Sequence, residues 1–118
     1  WVSFSELRGG TFKMSSFNRD CEQPLAELFE HNFNQIPFIL QRLGASIHNS
    51  SPSKHAWLLY LLPKIPVLIL YWPKEEGFDQ KVSILFDSTA DRFLDVESLI
   101  FLVEGLVKNI EMAIGHQK

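Results

Sequence analysis

Carboxylates are the residues whose number and spacing bear most on chemistry in this chain. Seven of the fourteen acids (Glu75, Glu76, Asp79, Asp87, Asp91, Asp95 and Glu97) fall in one stretch, where the only bases are Lys81 and Arg92. Such a cluster can hold a hard cation such as Ca²⁺ or Mg²⁺, or attract a basic partner. The spacing fits no calcium loop, since no Asp-x-Asp-x-Asp-Gly register occurs. Caps and solvated loop charge account for most of these acids, and no metal is expected. Trp72 and Phe78 lie beside the first three, so the loop from Trp72 to Asp79 combines aromatic and acidic groups. Trp72, Glu75, Glu76, Phe78, Asp79 and Asp87 are therefore the candidate surface for a partner or ligand. The alternative is an enzyme or small-ligand binder using Glu6, Glu75, Glu76 and Asp87 as acid/base groups around an apolar pocket. It requires at least one of the four to be buried, with a raised pKa.

Other reactive side chains give weaker signals. His31, His48, His55 and His116 show no HxH or HExxH spacing, although His48 and His55 flank one loop and could meet in space. Cys21 stands alone, which excludes an intrachain disulfide and a cysteine-built zinc or iron–sulfur site; it reads as an ordinary thiol. No Gly-x-Ser-x-Gly elbow, Walker loop or dinucleotide fingerprint occurs, so no cofactor is implied by these residues. Asn49-Ser50-Ser51 fits a glycosylation acceptor, but such triplets arise often by chance. Trp57, Tyr60, Tyr71 and Trp72 could line an apolar pocket, yet at strand spacing they are more often core.

The net charge of −3 gives no basic field for nucleic acid or an anionic membrane. A reducing, cytoplasmic setting fits the single cysteine. At 118 residues, 46% of them hydrophobic, the chain is sized for one domain with one core.

The elements that must position these groups follow from periodicity. Trp57 to Leu62 predicts a strand. Ile65 to Trp72, apolar at every position, predicts a central strand buried on both faces, with Pro66 at its start because proline cannot donate to a ladder. Val82, Ile84 and Phe86 predict a third strand, with one face more exposed. Short links favour antiparallel neighbours. A bare sheet edge would be covered by a preceding segment or a second copy.

Among the helices, the longest is expected from Asp95 through Ile114, with Val96, Leu99, Ile100, Val103, Leu106, Val107 and Ile110 inward. Pro24 predicts the first turn of a short helix, and Asn34 the cap of another. The stripe of that second helix is Ile36, Phe38, Ile39, Leu40 and Leu43, and Gly44 ends it. Thr11 to Asp20 is taken as helical, Ser3 or Ser5 as a cap, Gly9-Gly10 as a turn, and His48 to Lys54 as a loop. The expected architecture is α+β over residues 1–118: a small, mainly antiparallel sheet (57–62, 65–72, 82–86) packed by helices, the largest at 95–114.

Several of these stretches together resemble an uncharacterised domain family of anaerobic bacteria and archaea. They are Phe4-Ser5-Glu6-Leu7 before Gly9-Gly10, Leu62-Pro63-Lys64-Ile65-Pro66 running to Trp72, Glu75-Glu76 before Phe78, and Leu85-Phe86-Asp87 with Ala90 and Phe93-Leu94. The resemblance implies that the chain is the C-terminal part of a longer family domain. It also implies redox or cofactor-related surroundings, because some members are fused to iron–sulfur modules. No activity is established for that family, so it carries over no catalytic residue. Gly77 departs from its pattern, standing where an acid is expected before Phe78. A non-catalytic cytoplasmic module contacting a protein partner, or self-associating, is the favoured expectation.

Overall fold

The computed structural model describes residues 1–49, 53 and 55–116. Five antiparallel strands form one sheet: β1 (Val2–Ser3), β2 (Ser46–Ile47), β3 (His55–Leu62), β4 (Ile65–Trp72) and β5 (Lys81–Phe86), in the order β1-β5-β4-β3-β2. Among the described residues, four α-helices accompany it: α1 (Gly10–Phe17), α2 (Gln23–Asn32), α3 (Ile36–Arg42) and α4 (Val96–His116). The α+β class, the three long strands and the dominant C-terminal helix are as the periodicity predicts. β4 is central and buried on both faces, with Pro66 second in the strand. Most of the loop expected over His48 to Lys54, with Ser50 and Ser51 of the glycosylation triplet, lies outside the described residues.

The outer edges of β5 and β3 are each covered in part by a pairing too short for periodicity to reveal. Val2 and Ser3 pair with Phe86 and Leu85, and Ser46 and Ile47 pair with Leu58 and Trp57. The chain's own segments thus flank the strands that a second copy or another segment was expected to cover.

Odd-numbered residues of β4 and even-numbered residues of β5 face the helices, because side chains alternate along a strand. Phe29 of α2 stacks on Tyr71 at 4.4 Å and on Trp57 at 5.3 Å between ring centres. Phe4 stacks on Phe17 at 4.4 Å, and both lean on Phe86. Leu99, Val103, Leu106, Val107, Ile110 and Ile114 of α4 close this core. Each such side chain contributes about 1.5–3 kcal/mol on burial. The opposite face carries a smaller cluster of Ala56, Leu68 and Leu70, flanked by Trp72 and Leu85.

Local details depart from the sequence expectations in three places. α1 and α2 form one continuous helical run joined by a π-turn, Asn18–Glu22, in which the Gln23 N–H reaches back five residues to the Asn18 carbonyl. The wide turn coincides with Pro24, whose missing N–H and bulky ring disfavour a regular α-turn. Gln35, rather than Asn34, occupies the position before α3, and its side chain makes no capping bond. Phe38 and Leu43, expected in the core, are 65% and 41% exposed. With only seven residues, α3 buries a narrow stripe, Ile36, Ile39 and Leu40. Gly44 does end it, with a left-handed φ of 99°.

Candidate functional site

Trp72 is the last residue of β4 and pairs with Lys81, the first of β5. Alternation turns its indole to the face away from the helices, beside Leu70, where it is half-buried. Lys81 Nζ stands 5.6 Å from the ring centre, within cation–π range. Between the two strands, Glu75 and Phe78 exchange two backbone hydrogen bonds of 3.0 and 2.9 Å, closing a two-residue turn. Gly77 takes φ +84° there, a left-handed conformation that disfavours any residue with a Cβ. This gives a physical reason for a glycine, and not an acid, before Phe78. The turn fixes Phe78 outward, 74% exposed. A shallow pocket of about 310 Å³ results, walled by Trp72, Pro73, Glu75, Phe78, Asp79 and Lys81.

Of the candidate residues, Trp72, Glu75, Phe78 and Asp79 line this one pocket, and Glu76 occupies the turn between Glu75 and Gly77. Asp87 does not join them. It follows the far end of β5, about 20 Å away at the rise of an extended strand. There its carboxylate accepts hydrogen bonds from the Thr89 hydroxyl and from the Thr89 N–H (2.9 Å), which hold its pKa below the usual range. Asp91 accepts the Arg8 N–H at 2.9 Å, and Asp95 accepts the Ser98 N–H at 2.7 Å, capping α4 and lowering its own pKa. Glu97 pairs with Lys13 at 3.4 Å. The expectation that caps absorb much of the cluster therefore holds for its second half. Among the described residues, no group of three His, Cys, Asp or Glu side chains could hold one metal ion.

The four carboxylates of the acid/base alternative are not gathered. Glu6 is exposed and accepts the Ser3 N–H at 3.1 Å, as in a capping box, at the β1 end of the sheet. Glu75 and Glu76 are exposed at the other end, and Asp87 is half-buried with a lowered pKa. Among the described residues the buried carboxylate is none of these four but Glu22, at 6% exposure. Its Oε2 accepts the Ile84 N–H at 2.9 Å and its Oε1 accepts the Asn18 amide at 3.2 Å. Burial pushes its pKa up, against the pull of those two donors. The signal was in the sequence: Glu22 shares the helical spacing of Leu25, Ala26 and Phe29. It satisfies part of the β5 edge that the two-residue β1 is too short to reach.

Cys21 is fully buried, with Sγ 3.8 Å from the Ile100 carbonyl, and burial pushes its thiol up to about 12. A thiol so resistant to ionisation is a poor nucleophile. His48 and His55 lie on opposite faces by strand alternation. His48 contacts Trp1 at 6.5 Å and His55 contacts Phe33 at 5.0 Å. Trp57 and Tyr71 are core, Tyr60 is 57% exposed, and of these four aromatics Trp72 reaches the pocket. Among the described residues, no helix is long and apolar enough to cross a membrane.

A family model described as a domain of unknown function, DUF3786, matches residues 1–109. No curated protein and no solved structure matches the chain.

Proposed function

The chain belongs to the DUF3786 family, a domain of unknown function, and from that premise we propose that it is a non-catalytic cytoplasmic module that holds a protein partner through its Trp72–Asp79 loop. The observation carrying this reading is Phe78, 74% exposed on a doubly hydrogen-bonded turn beside the Trp72 pocket. Exposing a phenyl ring on a rigid turn costs solvation, and that cost is recovered when a partner covers the ring. Glu75 and Asp79 flank the ring, and Lys81 already shows that a cation can sit on the indole. A segment with one apolar and one cationic side chain complements that arrangement. Iron–sulfur fusions in the family that the sequence resembles favour a redox or cofactor-bearing enzyme as the partner.

Native purification of the tagged chain, followed by Phe78→Ala and Glu75→Lys, tests the reading. Both substitutions should release a stoichiometric partner, whereas Phe12→Ala, which removes an off-site phenyl ring that is 92% exposed, should retain it. A partner held equally by all four proteins would dispose of the loop as the contact.

A further inference from the structure

We propose that the pocket walled by Trp72 and Phe78 takes an arginine side chain of the partner, which stacks on the Trp72 indole in place of Lys81. This inference rests on the reading of the loop as a partner contact and names the group that the partner inserts. What the resident cation leaves unpaired defines the incoming one. Lys81 is the neighbour of Trp72 across the β4–β5 pair, and its Nζ stands 5.6 Å from the ring centre. Glu75 and Asp79 line the same pocket, yet neither carboxylate pairs with Lys81 or with any other base among the described residues. An ammonium is a compact charge, and here its stem starts from the pocket wall, so it serves the ring and leaves both carboxylates to water. A guanidinium is flat and carries its N–H donors in the plane. With one face on the indole, its edge still directs N–H groups toward carboxylates at the rim.

Charge selects the same occupant. The lining holds two carboxylates against one ammonium, and in the rest of the loop Lys74 and Glu76 offset each other. Lys81 is exposed, so leaving the ring returns its ammonium to water at little cost. An anionic group of the partner would be repelled by Glu75 and Asp79. A neutral apolar group would strip water from both carboxylates without bringing a counter-charge. Arginine brings the charge, and Phe78, 74% exposed at the pocket wall, gives its methylene stem an apolar surface to lie on.

Titration of the isotope-labelled full chain with N-acetylarginine amide at low salt, read by NMR at the Trp72 indole N–H, tests the proposal without a partner. Saturation with a Kd of about 5 mM is expected for a ligand of this size. N-acetyllysine amide should bind at least about 5-fold more weakly, because its ammonium repeats what Lys81 already does. Lys81→Met should tighten the arginine derivative about 3-fold, since nothing then has to leave the ring. Glu75→Gln combined with Asp79→Asn, both at exposed positions, should weaken it about 5-fold. An indole signal unmoved by the arginine derivative up to about 50 mM overturns the proposal. So does an equal response to both derivatives, or an affinity indifferent to Lys81→Met. Failure here is distinct from failure of the loop as a contact. A partner released by Phe78→Ala from a chain whose Trp72 ignores arginine keeps the loop and overturns the arginine. Arginine bound at Trp72 in a chain whose partner ignores the loop substitutions supports the pocket's choice of cation and disposes of the loop as the contact.

Discussion

Carboxylates gather at both ends of β5, and the two ends use them differently. Beyond Phe86, Asp87, Asp91 and Asp95 each accept a backbone N–H, closing a turn, tying the segment before α1 to the chain, and capping α4. Before Lys81, Glu75, Glu76 and Asp79 are exposed and accept no side-chain hydrogen bond among the described residues. Composition does not separate the two groups. The difference is the backbone: a chain leaving a strand for a 3₁₀ turn and a helix has orphan N–H groups to satisfy, whereas the Glu75–Phe78 turn satisfies its own. Acids at the second end are therefore left for solvent or for another molecule.

The sharpest probe of the backbone-serving class is its buried member. Glu22→Leu removes the partner of the Ile84 N–H and should cost about 1–3 kcal/mol, read from urea denaturation. Loss within error of zero would show that another group takes over that N–H. The same position has a pH signature. Its folded-state pKa is raised, so its contribution is complete below the ordinary Glu value of about 4.3 and is lost as pH rises through the folded value. Relative to wild type, Glu22→Gln should accordingly become more favourable as pH rises through that window. A wild-type-to-Gln difference flat from pH 4 to 8 would contradict the raised value.

Next in size is the helix cap. Asp95→Ala should lower the melting temperature by about 5 °C at neutral pH, as expected for loss of a carboxylate cap. Because the pKa of Asp95 is lowered in the folded state, its contribution is present above the ordinary Asp value of about 3.9 and disappears as pH falls through the folded one. The Asp95→Ala deficit should therefore shrink in acid, and a deficit constant down to pH 2 would remove the cap from the account. Smallest of all, Glu75→Ala, Glu76→Ala and Asp79→Ala should each stay within about 0.5 kcal/mol of wild type in stability. A loss at any of them comparable to that at Asp95 would erase the contrast between the two ends.

Legibility from sequence followed the range of the interaction involved. The strands at Trp57–Leu62, Ile65–Trp72 and Val82–Phe86 and the helix from Asp95 onward were readable because each spans several periods of its own pattern. β1 and β2 hold two residues each, and no period fits in two residues. Phe38 and Leu43 had the right spacing for a core stripe but belong to a helix too short to bury it. Glu22 illustrates the opposite case: its spacing placed it on the apolar face, and its charge argued against that placement. At the candidate site, the neighbours Trp72 to Asp79 were found as a unit because a short loop keeps them together. Asp87 was grouped with them on acidity alone, and the length of β5 separates it.

Sequence by itself determined the α+β class, the central double-faced β4, the antiparallel connections and the cap at Asp95, all of which depend on residues within a few positions of one another. Tertiary structure decided which acid is buried, which strand edges are covered in part and by what, and which exposed rings share a surface. Those outcomes depend on strand register and helix placement, which bring together residues distant in the chain, such as Arg8 and Asp91, 83 positions apart. No local pattern records such distances, because burial and pairing are properties of the packed chain and not of the residue.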